Sequence, residues 1–201
     1  VLGYQSDTVL HRLPELESQV VIQTEQLGTG HALQCALPVL DASGCQWCLV
    51  VNGDAPLLKT EALEDLLQKG RDEDAILACM SIELDDPSGY GRIIRGTEGQ
   101  FLEIVEDKDL TEQQRAAGFS EVNAGVYCLK TAGIKPFLDQ LTNDNRQGEY
   151  YITQLIDLCV QAGQRVSVVC AGRDPSFLGV NSPKELVACE QVLQSRIVDL
   201  V

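Results

Sequence analysis

Short apolar runs alternate along the chain with longer segments in which apolar residues recur every three or four positions, the pattern of strands interleaved with amphipathic helices. Residues 20–23 (VVIQ) predict a short buried strand, and residues 29–37 a helix with Thr29 as its N-cap. Residues 48–52 (CLVVN) predict an apolar strand that stops at Gly53-Asp54. In residues 60–70, Leu63, Leu66 and Leu67 share one helical face, and Gly70 fits the C-terminal stop. A long strand is predicted over 75–84. Beyond it the texture changes: residues 92–95, 100–106 and 121–130 predict strands joined by glycine-bearing turns and more antiparallel in character. Helices follow over 133–141 and 151–162, then a strand over 165–170. The last helix, 182–201, has Ser182 as cap, Pro183 at its first position and Glu185 completing a capping box, with Leu186, Leu193, Ile197 and Leu200 striping one face. The expectation is one α/β domain over residues 1–201, its mixed sheet flanked by helices, with no internal repeat or linker.

Composition narrows this picture. With 44% hydrophobic and 22% charged residues the chain is an ordinary globular one, and no apolar run reaches the roughly 20 residues of a membrane-spanning helix. A net charge of -15 and a pI of about 4.4 argue against a nucleic-acid partner, because an acidic surface repels phosphate backbones. The eight cysteines are scattered, mostly in apolar surroundings such as Leu77-Ala-Cys79-Met80 and Val168-Val-Cys170-Ala171. They fit packing in a reducing cytoplasm better than a disulfide framework. Cys45-Gln-Trp-Cys48 is the one C-x-x-C; with no second ligand pair in view, it is read as packing rather than zinc or redox chemistry. The start of the chain shows no signal-peptide pattern and no methionine, so it is expected to open in mid-domain.

Four places could carry chemistry. Gly28-Thr29-Gly30, at a helix start, is read first as a glycine turn and second as a site where free N–H groups meet phosphate or a base carbonyl. Asn52-Gly53-Asp54 ends an apolar strand, where open α/β sheets bind ligands; a carboxylate there suits a phosphate-bridging Mg²⁺, and a plain Asn-Gly-Asp turn fits equally well. The two glycines around Tyr90, Gly89 and Gly91, allow close backbone approach to a flat or sugar-like ligand, or a tight loop. Glu106 at a strand end, Asn123 inside an apolar strand and Asn181 before the last helix supply the neutral and acidic groups that bind hydroxyls. His31, without an assignable partner, reads as a surface or cap residue, and Lys108 as solvated.

Seven segments, in order, resemble the amino-terminal uridyltransferase domain of the GlmU family. They are residues 23–32 (QTEQLGTGHA), 52–57 (NGDAPL), 85–93 (DDPSGYGRI), 104–109 (IVEDKD), 121–125 (EVNAG), 147–153 (QGEYYIT) and 179–181 (GVN). The resemblance implies a Rossmann-like nucleotide-diphosphosugar transferase fold and the formation of UDP-N-acetylglucosamine and pyrophosphate from UTP and N-acetylglucosamine-1-phosphate. Carried over by residue, it implies that Gln23, Gly28 and Thr29 hold the uracil, with Asn52, Gly53 and Asp54 beside the nucleotide. Asp54 and Asn181 would ligate Mg²⁺; Gly91, Glu106 and Asn123 would hold the sugar, with Tyr151 and Thr153 close by. It further implies a cytoplasmic setting and, for full-length members, homo-oligomers in which the last helix leads to an acetyltransferase domain. Two departures follow from the same resemblance. The family's first strand, glycine-rich loop with its Arg, and Pro-Lys pair are not found in these 201 residues. The chain alone is therefore expected to bind without efficient turnover, and to leave a sheet edge open. Gln154 stands where the family's motif continues with Asp, a change expected to be mild.

Overall fold

A computed structural model describes residues 1–180 and 182–198. The sheet is centred on one strand, Glu121–Lys130 (β5), whose residues 124–129 are all buried. On one side β5 runs antiparallel to Leu77–Glu83 (β2), which in turn pairs in parallel with Val166–Cys170 (β6). Its other edge is shared. The C-terminal half pairs with Trp47–Val50 (β1), and the N-terminal half with Arg92–Arg95 (β3), which pairs with Phe101–Val105 (β4). Four antiparallel pairings and one parallel pairing make the sheet mixed, as its texture in sequence predicts.

Helices cover both faces. One layer of core joins Thr29–Ser43 (α2), Thr131–Leu138 (α5) and Ile152–Gln161 (α6) to the sheet through Leu33, Leu37, Ile134, Leu138, Leu155 and Ile156. The other joins Thr60–Asp72 (α3) to Ala78, Met80, Val122 and Val126 through Leu66, with Leu63 and Leu67 packed at its margin, the face read from their spacing. Two short helices, Ser6–Arg12 (α1) and Glu112–Ala116 (α4), were not signposted by apolar period; α4 carries a capping box on Thr111 and Gln114.

Several elements differ from expectation for identifiable reasons. Residues 20–23 make only a parallel bridge, Leu2 to Ile22, because no longer strand lies beside them to extend the pairing. Helix α2 runs past Leu37 and over Pro38 to Ser43, since its apolar face continues; Gly44, in the left-handed region, stops it. Gly70 does not stop α3. It lies buried inside the helix, where a side chain would meet the Trp47 ring at 3.3 Å. Ser182 does receive the Glu185 amide at the start of Pro183–Val198 (α7), but Leu186, Leu193 and Ile197 are about half exposed; α7 docks instead through buried Cys189 and through Arg196, which donates to the Leu57 carbonyl and the Ser176 hydroxyl. Residues 199–201, including Leu200 of the predicted stripe, lie outside the described residues. Cys170 is exposed despite its apolar neighbours, being the last residue of β6, whereas Cys79, Cys128, Cys159 and Cys189 are buried.

One consequence of this topology positions the site. Strand β1 pairs with β5 alone, so its second edge is open among the described residues, and Leu49 and Val51 stay 41% and 45% exposed. Between that edge and α2 the sheet opens into a cavity.

Candidate functional site

The cavity has a volume of about 950 Å³ and lies beyond the end of β1, bounded by α2, the bend in β5 and the loop before β3. Of the residues expected at a site, Thr29, Asn52, Gly53, Asp54, Gly91, Glu106 and Asn123 line it. Gln23, Gly28, Tyr151 and Thr153 stand behind that lining, and Asn181 lies outside the described residues.

Gly91, Glu106 and Asn123 are drawn together by the sheet. The Asn123 amide donates to the Gly91 carbonyl at 2.8 Å, and a Cβ on Gly91 would stand 3.4 Å from Glu106 Oε2. Glu106 follows the last residue of β4 and is half-buried. Its Oε1 accepts from the buried Thr153 hydroxyl at 2.8 Å, so Thr153 acts here by holding Glu106. Burial pushes the Glu106 carboxyl up, against the Thr153 hydrogen bond, and the nearby Asp109, Asp107 and Glu149 add to the rise. One turn along α6, Asp157 accepts from the Ile104 amide and is pushed up to about 7, mainly by burial. Tyr151 takes a hydrogen bond from Gln147, which also receives Lys108; the lysine is thus tied to the loop. Gln154 donates to the Thr142 hydroxyl and accepts from its amide, each at 2.8 Å, which closes the same loop.

Asn123 and Tyr127 form the floor. Asn123 Nδ2 donates to Tyr127 Oη at 2.6 Å, and its Oδ1 accepts from the Gly125 amide at 3.1 Å. Tyr127 lines the cavity and is 3% exposed; burial lifts its phenol far above the ordinary tyrosine range. It is a site residue that sequence reasoning passed over as part of an apolar strand. The available signal was its spacing, Asn123-x-Gly125-x-Tyr127, which places all three on one face of a strand.

Asp54 is arranged differently. It is exposed, its carbonyl takes the Val180 amide, and a side chain on Gly179 would meet its Oδ2 at 2.8 Å. Tyr90 and Glu185 share this part of the wall: burial first, then the Glu185 and Asp54 charges, push the Tyr90 phenol up. A hard cation such as Mg²⁺ takes oxygen ligands and keeps several waters, which an open carboxylate at a strand end accommodates. No group of three or more His, Cys, Asp or Glu forms a closed cage among the described residues. The donor set therefore fits an ion completed by water and substrate oxygens.

The third cluster sits at the start of α2. Gly28, at φ 107, is its N-cap, and a Cβ there would strike the Tyr150 carbonyl at 2.7 Å, so only glycine fits. Thr29 does not cap α2 as expected. Its hydroxyl accepts from the Ile152 amide at 3.1 Å and so caps α6 instead. Gln23, 8% exposed, spends both amide hydrogens within the chain, on the Gly28 carbonyl and on His31 Nδ1, each at 3.0 Å. His31 thus has a partner after all, and its Nε2 lies 3.7 Å from Cys35 Sγ.

The chain matches the family described as Nucleotidyl transferase over residues 4–173. It is 41% identical over 198 residues to the bifunctional protein GlmU of Oleidesulfovibrio alaskensis, covering 98% of this chain and 43% of that protein. To the bifunctional protein GlmU of Paraburkholderia phymatum it is 40% identical over 203 residues, covering 99% and 43%. The chain therefore spans less than half the length of these relatives, and the resemblance carried by the seven motifs holds over nearly all of it. Among solved structures, CMP:2-keto-3-deoxy-manno-octonic acid synthetase complexed with CTP superposes with a TM-score of 0.65 at 15% identity, covering 99% of this chain and 80% of that one. At that identity the likeness is one of fold.

Proposed function

The chain belongs to the nucleotidyl transferase family, and on that premise we propose that it is a uridyltransferase acting on UTP and N-acetylglucosamine-1-phosphate. The observation that carries this reading is one cavity lined both by an exposed carboxylate in the turn after β1, Asp54, and by the half-buried acceptor and donor pair Glu106 and Asn123. In the reaction, a phosphate oxygen of the sugar phosphate attacks the α-phosphorus of UTP, and the bond to pyrophosphate breaks. No side-chain nucleophile is needed, so the work of the protein is positioning. Glu106 accepts from a sugar hydroxyl or N–H, and Asn123 donates its remaining amide hydrogen. Gln23, Gly28 and Thr29 hold the uracil, with Gln23 fixed by its two internal bonds. Asp54, with Asn181, would hold Mg²⁺, which when bound neutralises phosphate charge. The free thiols and the GlmU relatives support a cytoplasmic setting.

A second reading has its own observation. The cavity lining carries Asp54, Glu106 and Glu185 and, among the described residues, no lysine or arginine. On that reading these 201 residues bind UDP-sugars without turning over a triphosphate. Pyrophosphate release with UTP, Mg²⁺ and N-acetylglucosamine-1-phosphate decides between the two. Release with glucose-1-phosphate but not with the N-acetylated sugar would defeat the substrate assignment.

A further inference from the structure

The two residues that floor the cavity should not be neighbours. Four positions apart on a regular strand, Asn123 and Tyr127 would stand about 13 Å apart along it. Their register says otherwise: Tyr127 pairs with Cys79 and Asn123 with Ser81, so two steps of β2 face four of β5. The surplus is a bulge centred on Gly125, whose φ of 69 favours glycine. A Cβ there would also meet Asn52 Nδ2 at 2.3 Å, so the bulge leaves room for the nucleotide-side Asn52 as well. The bulge brings the phenol within 2.6 Å of the Asn123 amide nitrogen, while the Gly125 N–H takes Asn123 Oδ1.

The Gly125 N–H can only donate, so it fixes Asn123 Oδ1 as the acceptor and turns Nδ2 to the Tyr127 hydroxyl, which accepts from it. What remains unshared among the described residues is one Nδ2 hydrogen of Asn123 and the hydroxyl hydrogen of Tyr127, both donors on groups that line the cavity. Glu106 beside them is an acceptor. We propose that Tyr127 is a positioning and specificity-determining residue: with the Gly125 bulge it locks Asn123 as a donor, so that the floor reads an acyl carbonyl on the sugar, while Glu106 takes the adjoining N–H. This rests on the UDP-sugar reading given above.

The test is calorimetric titration of the 201-residue chain with UDP, UDP-glucose and UDP-N-acetylglucosamine in the presence of Mg²⁺, using Tyr127→Phe, Asn123→Ala and the double variant. Tyr127→Phe keeps the ring that fills the core and removes only the hydroxyl. Affinity for UDP-N-acetylglucosamine is expected to fall about tenfold, as for one lost hydrogen bond. UDP should change less than twofold, and the preference over UDP-glucose should shrink. In the Asn123→Ala background the same change should have little further effect, because Tyr127 acts through Asn123. Equal losses for UDP and UDP-N-acetylglucosamine, an unchanged affinity, or a full tenfold loss in the Asn123→Ala background would overturn the proposal. A wild-type chain that binds UDP but neither UDP-sugar would instead defeat the sugar reading on which it rests.

Discussion

Glu106 and Asp54 line the same cavity, yet one carboxylate is held by a buried hydroxyl on a helix and the other stands exposed at the end of a strand. Around Glu106 every neighbour is fastened: Thr153 to Glu106, Asn123 to Tyr127 and Gly125, Gln154 to Thr142. Around Asp54 the wall is open and crowded with negative charge from Glu185. The difference separates two tasks. Recognition of a neutral sugar needs donors and acceptors at fixed places, which a packed sheet provides before the ligand arrives. Holding phosphates needs positive charge, and the described lining has no lysine or arginine, so on the proposed reading this side would rely on an ion.

If that contrast is right, the largest effect falls on the open side. Asp54→Ala should reduce Mg²⁺-dependent pyrophosphate release about a thousandfold or more while the thermal melt stays unchanged, the size expected when the main electrostatic stabilisation of a transition state is removed. Retained turnover would show that the metal is held elsewhere. On the fastened side, Glu106→Gln should lower kcat/KM for the sugar phosphate about a hundredfold and leave the KM for UTP within twofold. A matching rise in both KM values would erase the division of labour.

Asp157 sharpens the contrast through pH. Burial pushes its carboxyl from 3.8 up to about 7, so the contribution of this one group to stability is fully present below pH 3.8 and is lost as pH rises through about 7. Asp157→Asn keeps an acceptor for the Ile104 amide. It should therefore raise stability by about 2 kcal/mol at pH 8 and by almost nothing at pH 4, measured by urea unfolding at both values. An equal gain at both pH values would place the effect in packing. The smallest effect is expected at Gln154→Asp. The shorter aspartate gives up at least one of two exposed bonds to Thr142, each of small net worth, so sugar-phosphate KM should change less than about twofold.

The amino-acid order alone determines the α/β character, the bounds of β3 and β5, the capped start of α7 and seven of the residues that line the cavity. These rest on local physics, namely apolar period, glycine and proline geometry, and short motifs whose chemistry travels with their spacing. Tertiary structure decides the rest, because it depends on partners far away in sequence. Thr29 looks like the cap of its own helix, but its hydroxyl takes the first amide of a helix 123 positions on, and Thr153 holds a carboxylate 47 positions back that its own segment does not announce. Residues 20–23 have the composition of a strand but find only Leu2 to pair with. Tyr127 lies in an apolar run, and only the bulge at Gly125 turns it toward Asn123. Composition selects which segments can be buried; register and docking select which polar atoms meet, and the site is made of those meetings.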